Sequence, residues 1–483
     1  MSEDIFVSNS LTKQKEKLVC QDAKNKKIGI YACGITVYDH CHIGHAMQAI
    51  FFDVIRKFLA ADGYAVTYVR NYTDVDDKII NKAKQLNISP AQLAQDVIDR
   101  TEKDMAALGV DSADLEPRVS HMIPEIVAMI EVLITKQFAY ATKDGDVYYR
   151  VRMKSDYGKL SNRNPDDLKS GTRVLDSTGK EDELDFALWK SDTTVDASWP
   201  SPWGLGRPGW HIECSAMAKK CLGDTFEIHG GGRDLIFPHH ENEIAQSEAA
   251  NSKEFAKYWL HSGLLTIDHQ KMSKSLGNHV FIADFLEKWP AEVLRFSFLQ
   301  NHYASNVNFS ETVFQNALKR LIYFYETLIE VEEAIGHPVI QAKVNNELDL
   351  EFEKVMRDDF NTPKAIAIMN VTVKKMRELL LKIKSSNFEE LESLTASIIK
   401  FGKITGLLQQ KPALFLNDAK IKFLSHLQIS QEFIKNKIDL RTSARLQKDF
   451  KKSDEIRDQL LQLGIVLRDL RNGTVWSVNI DHE

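Results

Sequence analysis

A chain of 483 residues is too long for one compact core and implies two to four domains. Its 43% hydrophobic and 27% charged residues fit a globular protein, and no apolar run is long enough to span a bilayer. The net charge of −6 argues against blanket attraction to nucleic acid. The acidic start, Met1-Ser2-Glu3-Asp4, lacks the basic-then-apolar order of a secretory signal, so the expected compartment is the cytoplasm, with no membrane partner. Five cysteines (Cys20, Cys33, Cys41, Cys214, Cys221) are too few and odd in number for a disulfide framework, leaving free thiols for metal or redox chemistry.

In chain order, residues 28–32 form a short apolar run ending at Cys33-Gly34, which reads as a buried strand. Residues 45–61 place Ala46, Met47, Ile50, Phe51, Val54, Ile55, Phe58 and Leu59 at helical spacing, and Gly63 is a helix stop. Residues 64–69 read as a second strand. Strand, helix, strand in this order predicts a parallel sheet with a right-handed crossover and a ligand site at the carboxyl ends of the strands. Residues 89–139 read as helical, and Asp144-Gly145 as a hairpin turn between 139–141 and 147–149. The stretch 154–208 is polar and rich in turn formers. A strand follows at 225–229, then Gly230-Gly231-Gly232, a helix starting near His239 and a strand at 258–265. From about Phe309 the patterns are those of long amphipathic helices (313–335, 348–356, 363–383), closing with a small module that ends in 464–476. Residues 435–457 hold eight basic side chains against four acidic ones, which suits a phosphate-facing surface or, equally, a solvated helix face.

Two segments carry phosphate chemistry. His42-Ile43-Gly44-His45 falls where a strand hands over to a helix N-terminus, whose free N–H groups and dipole favour an anion. Two imidazoles three residues apart share a face of the first turn, and Gly44 lets a nucleotide approach the backbone. The second is Lys271-Met272-Ser273-Lys274-Ser275, followed by Leu276-Gly277-Asn278: two lysines and hydroxyls suited to a loop closing over a triphosphate, where point charges stabilise the transition state. Each alone reads more readily as a structural helix end or an exposed basic loop. Together, in this order and more than 200 residues apart, they resemble the paired HIGH and KMSKS signatures of class I aminoacyl-tRNA synthetases.

A third set bears on the amino acid. Cys33 ends the first strand, Cys214 follows Gly209-Trp210-His211-Ile212-Glu213, and His239 and Glu243 lie four apart on one predicted helix face. Two thiolates, an imidazole and a carboxylate make a zinc-type set. Spacing alone leaves this open, because either cysteine serves as well as a small buried hydrophobe and His240 competes with His239. The strings Tyr31-Ala32-Cys33-Gly34-Ile35-Thr36-Val37-Tyr38-Asp39, Arg70-Asn71-Tyr72-Thr73-Asp74-Val75-Asp76-Asp77-Lys78, Gly209 through Met217 and Phe237-Pro238-His239-His240-Glu241-Asn242-Glu243 resemble the bacterial-type cysteinyl-tRNA synthetase family, and the likeness runs nearly end to end.

The resemblance implies one zinc ion per chain on Cys33, Cys214, His239 and Glu243, and an ATP site, with Mg2+, involving His42, His45, Asp234, Lys271 and Lys274. It implies a cysteine pocket walled by Trp210 and His229 and contacted by Gly34 and Thr73. Of these, His42, His45, Lys271 and Lys274 are expected to carry catalysis, activating L-cysteine as an adenylate and passing it to tRNA(Cys). Zinc prefers thiolate to hydroxyl, which separates cysteine from serine where an apolar pocket gains only about 1–3 kcal/mol. A four-ligand zinc must then become five-coordinate, or release Glu243, to take the substrate sulfur.

The expected architecture is a Rossmann-like α/β catalytic domain with an insertion, then an all-α helical bundle and a small C-terminal anticodon-binding domain, in a monomer. The boundaries expected are 1–115 and 209–265 for the two catalytic halves, 116–208 for the insertion, 266–308 for the KMSKS loop and stem-contact region, 309–410 for the bundle and 411–483 for the anticodon module. Two rivals remain at this level: a ligase joining cysteine to an amino sugar, and a non-catalytic, zinc-stapled RNA-binding protein.

Overall fold

The computed structural model describes residues 4–168, 179–193, 197–268, 270–271, 279–339, 342–382, 388–470 and 473–478. The chain forms two compact units: Met1–Leu264 with Tyr303–Asn306 and Met356–Asn361, and Leu265–His302 with Val307–Val355 and Thr362–Glu483.

The first unit is built on a four-stranded parallel sheet, in the order Ala256–Ser262, Phe226–Gly232, Lys27–Thr36, Ala65–Thr73. Lys27–Thr36 is a central strand, which explains its unbroken apolar run: Ile28, Ile30, Tyr31, Ala32 and Cys33 are all buried. Its pairing with Ala65–Thr73 shifts register between Ala32 and Ile35. That irregularity re-aims the side chain of Cys33. Gly34 is required there, because a Cβ would collide with the Asn71 carbonyl.

The crossover helix is Ile43–Ala61, and all eight apolar residues expected on its inner face are buried. Each such burial contributes roughly 1.5–3 kcal/mol for the larger side chains. His42 caps it: its Nδ1 accepts from the Gly44 N–H at 3.1 Å, while His45 Nδ1 accepts from the His42 N–H at 3.3 Å. The helix stops at Asp62, with Gly63 at φ +87°.

Three expectations need correction. Residues 89–139 are not one helical stretch. Helices Pro90–Ala107 and Ile123–Thr135 are separated by a segment containing Gly109 and Pro117, which breaks the helical ladder. The turn-rich 154–208 region contributes three strands, Phe186–Ser191, Trp199–Ser201 and Gly204–Pro208. With the expected hairpin, Ala139–Ala141 and Val147–Tyr149, they form a five-stranded antiparallel sheet. Trp199–Ser201, with three residues, is too short to show an alternating pattern. The expected strand at 258–265 divides at Gly263: Ala256–Ser262 stays in the parallel sheet, and Leu265–Ile267 joins a small sheet of the second unit with Val307–Phe309 and Gln270–Lys271.

The second unit is mainly helical: Glu311–Ile335, Thr362–Leu381, Phe388–Thr405, Pro412–His426, Gln431–Leu446 and Phe450–Gln462, then the hairpin Ile465–Leu470 and Gly473–Val478. Buried polar links hold the bundle: Arg295 Nη1 donates to the Thr405 carbonyl at 3.0 Å, and Glu292 accepts from the Tyr325 hydroxyl at 2.7 Å and the Leu408 N–H at 3.1 Å. The terminal module has its own small core of Leu424, Ile434, Ile456, Leu460 and Ile465. Among the described residues no helix is long and apolar enough to cross a membrane.

Candidate metal and substrate site

Cys33, Cys214, His239 and Glu243 meet in the first unit although they come from three separate stretches of chain. Cys33 sits at the register shift of its strand, Cys214 on the helix Trp210–Leu222, and His239 and Glu243 where the short turn Ile236–His240 runs into the helix Glu241–Asn251. All four are buried, with one ligand atom from each lying within 4.8 Å of the others. Cys33 Sγ is 3.8 Å from Cys214 Sγ and 3.4 Å from Glu243 Oε1, and His239 Nε2 is 3.0 Å from Glu243 Oε1. A tetrahedral zinc with ordinary bond lengths needs edges of about 3.8 Å between sulfurs, about 3.5 Å from sulfur to oxygen and about 3.3 Å from nitrogen to oxygen. The donor set therefore fits a zinc ion in both chemistry and size.

A second group, Cys33, His229, His240 and Glu243, meets the same distance limit. Its histidines each contact another member of this same group. His229 Nε2 is 2.8 Å from Glu243 Oε2, on the far oxygen of the carboxylate, and the ring is stacked on Trp259. His240 Nε2 is 3.3 Å from Cys33 Sγ, and its Nδ1 is 2.8 Å from His261 Nε2. His239 faces Glu243 with Nε2, and its Nδ1 is 3.0 Å from His211 Nδ1.

The cluster's electrostatics follow from burial and mutual contact. The Cys33 thiol is pushed well up by burial and then by Cys214 and Glu243. Cys214 is lowered to about 6, first by the hydrogen bond from Cys33, against burial and with help from His239. Burial works against charge on Glu243, but His229 and His239 hold its carboxyl well below the usual range. A metal takes its cysteine ligands as thiolates.

Surrounding contacts fix these side chains. The buried Glu241 carboxylate accepts the N–H groups of Gly158 at 3.0 Å and Ser161 at 2.8 Å, and the Tyr157 hydroxyl donates to Asn242 Oδ1 at 2.5 Å. The turn at 157–161 therefore clamps the segment carrying His239 and Glu243. Gln246 Nε2 ties the same helix to the His211 carbonyl and the Ser215 hydroxyl, both at 3.0 Å. Gln48 Nε2 donates to the Cys33 carbonyl at 2.6 Å, and the Gly34 N–H donates to Asn71 Oδ1 at 2.9 Å.

Other expected site residues fall into three groups. Gly34 and His45 line a small cavity beside Cys33, together with Gln48, Arg70 and Asn71. The His42 and His45 rings stack with centroids 3.7 Å apart at the helix N-terminus. Thr73 is buried near Cys214, whereas Trp210 is not core: it is 43% exposed and stacks on His239 at 4.6 Å. His229 is fully buried behind Glu243. Asp234 is exposed on the turn Arg233–Leu235, just past the end of a central strand. Lys271 lies by its backbone opposite Thr266, and Lys274 falls in 272–278, outside the described residues. Sequence reasoning passed over Asn71, His211, Glu213, Glu241 and His261. The first four are polar residues inside otherwise buried motif strings, which is the signal that marks them.

Comparison with known proteins agrees with this geometry. A family model for the class I (C) tRNA synthetase catalytic domain matches residues 19–319, and one for the DALR domain matches 351–409. A methionyl-tRNA synthetase of Mycobacterium tuberculosis, solved with methionyl-adenylate, superposes with a TM-score of 0.56 at 15% identity, covering 84% of this chain and 95% of that one; this speaks to the fold. Fold and matched model together define a class I aminoacyl-tRNA synthetase. Cysteine–tRNA ligase from Thermodesulfovibrio yellowstonii is 45% identical over 98% of this chain and 100% of its own length. That from Desulfotalea psychrophila is 44% identical over 99% of both. The chain belongs to the cysteine–tRNA ligase family.

Proposed function

We propose that the chain activates L-cysteine with Mg-ATP and transfers it to tRNA(Cys), selecting the substrate thiol with a zinc ion held by Cys33, Cys214, His239 and Glu243. The observation carrying this reading is the buried two-sulfur, one-nitrogen, one-oxygen set with zinc-sized edges. Two thiolates favour this set over the one-thiolate alternative through His229 and His240. When bound, zinc supplies a Lewis acid that takes a thiol as thiolate and a serine hydroxyl poorly.

The remaining chemistry is positional. The cysteine carboxylate attacks the α-phosphorus of ATP, forming the acyl–phosphate bond as pyrophosphate leaves. A terminal ribose hydroxyl of the tRNA then attacks the acyl carbon, and AMP departs. No protein nucleophile is needed, so orientation and charge stabilisation carry the rate. His42 and His45, at the helix N-terminus, are assigned to the phosphates, as are Lys271 and Lys274 from their sequence signature. Asp234 is assigned to the ribose hydroxyls, and Gly34, Thr73 and Trp210 to the cysteine.

His229, whose Nε2 is 2.8 Å from Glu243 Oε2, is assigned to hold that carboxylate as well as to wall the cysteine pocket.

The exposed Lys435, Lys448, Lys451, Lys452 and Arg457 are assigned to the tRNA, read as a single-stranded anticodon loop, whereas Arg441 is buried and, with Arg445, held by Asp469. A cytoplasmic monomer completes the reading. The amino-sugar rival lacks a use for this C-terminal module. The test is ATP–pyrophosphate exchange with cysteine and with serine, alongside metal analysis and tRNA charging. Cysteine-dependent exchange by a zinc-loaded chain supports the reading, and equal exchange with serine overturns the selecting role of the metal.

A further inference from the structure

Glu213 has no place in the chemistry above. It lies on the first turn of the helix Trp210–Leu222, next in sequence to Cys214, and is 1% exposed. Among the described residues no lysine, arginine or histidine pairs with its carboxylate. Its hydrogen-bond partner is the Thr73 hydroxyl, at 3.4 Å from Oε2. A buried carboxylate costs several kcal/mol unless a cation or strong donors compensate it, so one without a paired cation needs an explanation.

The surroundings supply one. Thr73 Oγ1 is 3.4 Å from Asn71 Nδ2, and Asn71 Oδ1 lies 3.9 Å from Cys214 Sγ. The contacts thus run from the metal set through Asn71 and Thr73 to Glu213. In free cysteine only two carbons separate sulfur from nitrogen. A substrate whose sulfur sits at Cys33 and Cys214 carries its ammonium a few ångströms away, the span these contacts cover.

We propose that Glu213 is the counter-charge for the α-ammonium of the substrate, with Thr73 between them as a shared hydroxyl. The missing cation of this buried carboxylate is the substrate itself. Specificity is then read at two points on one small molecule: the thiol by the metal set, and the ammonium by Glu213. The inference rests on the cysteine reading above.

The test uses the full-length, metal-loaded chain and two truncated cysteines as inhibitors of cysteine-dependent ATP–pyrophosphate exchange. Cysteamine keeps thiol and ammonium; 3-mercaptopropionate keeps thiol and carboxylate. Glu213→Gln should raise KM for cysteine and weaken cysteamine about 10- to 100-fold, the range of a charge-assisted hydrogen bond. Inhibition by 3-mercaptopropionate and bound zinc should stay unchanged. Equal losses for both inhibitors, loss of zinc, or no change in either would overturn the proposal. A second measurement needs no variant: the unsubstituted chain should bind cysteamine at least about 10-fold tighter than its neutral analogue 2-mercaptoethanol. Equal binding would also overturn it. Failure of the cysteine reading looks different, because the unsubstituted chain would then show no cysteine-dependent exchange.

Discussion

Under the proposed function, the cluster around Cys33 and the C-terminal module from Gln431 to Val478 face opposite recognition problems. Around Cys33 the polar side chains are sequestered: Glu213, His229, His239, His240 and Glu243 are each no more than 2% exposed, and each is fixed by named partners. In the C-terminal module Leu446 is 81% and Phe450 63% exposed, among exposed Lys448, Lys451 and Lys452. A small ligand that differs from its competitor by one atom must be desolvated and met at fixed distances. A polyanion is met by a charged face on which no single pair is decisive. Substitutions in the first region should therefore act singly and steeply, and those in the second weakly and in sum.

The steepest effect is expected at Lys274. Lys274→Ala should slow cysteine-dependent exchange by about 100- to 1,000-fold while changing KM for cysteine little. An unchanged rate would remove the loop from catalysis. Cys214→Ser should lose the metal by elemental analysis and raise KM for cysteine, with exchange falling at least about 100-fold. Retention of both metal and KM would remove Cys214 from the site.

Glu241→Ala tests whether the clamp on the metal-binding helix is structural. It strands the buried N–H groups of Gly158 and Ser161 and should cost about 2–3 kcal/mol in urea unfolding of the chain. A midpoint shift of under about half that would mean the 157–161 turn is held by other contacts.

On the C-terminal face, replacing Lys448 and Lys451 together by alanine should raise KM for tRNA only several-fold. It should also flatten the salt dependence of tRNA binding by about one to two counterions, with exchange unaffected. A complete loss of charging would contradict a diffuse surface.

The smallest effect is expected at Asp469. Arg441 grips it with two bonds, at 2.8 and 3.0 Å, and Thr474 and Arg445 donate to it at 2.8 and 2.6 Å. These partners, Arg441 first, hold its carboxyl well below the usual range. A carboxylate lowered by folding contributes stability above its unfolded pKa, about 3.9, and loses it as pH falls through the folded value. Because the group is partly exposed, Asp469→Asn should cost under about 1 kcal/mol at pH 7. The difference between Asn and Asp forms should shrink below about pH 4, measured by acid unfolding followed at Trp476.

Much was legible in the chain itself. The run through Ile30 and Cys33, the helical spacing from Ala46 to Leu59 and the His42-Ile43-Gly44-His45 turn are local patterns, set by side-chain periodicity and capping chemistry. They predicted a parallel sheet with its site at the strand ends. The two distant signatures and the Cys, Cys, His, Glu set likewise stand in the sequence as residue types suited to phosphate and thiol chemistry. What only the tertiary structure decided are the meetings between stretches 140 or more residues apart. These include the 3.8 Å between Cys33 and Cys214, the 3.3 Å between His240 and Cys33, and the carboxylate of Glu213 facing Thr73. A ligand set needs edges correct to a few tenths of an ångström. Periodicity fixes which face a residue occupies, and only packing fixes which neighbour it meets there.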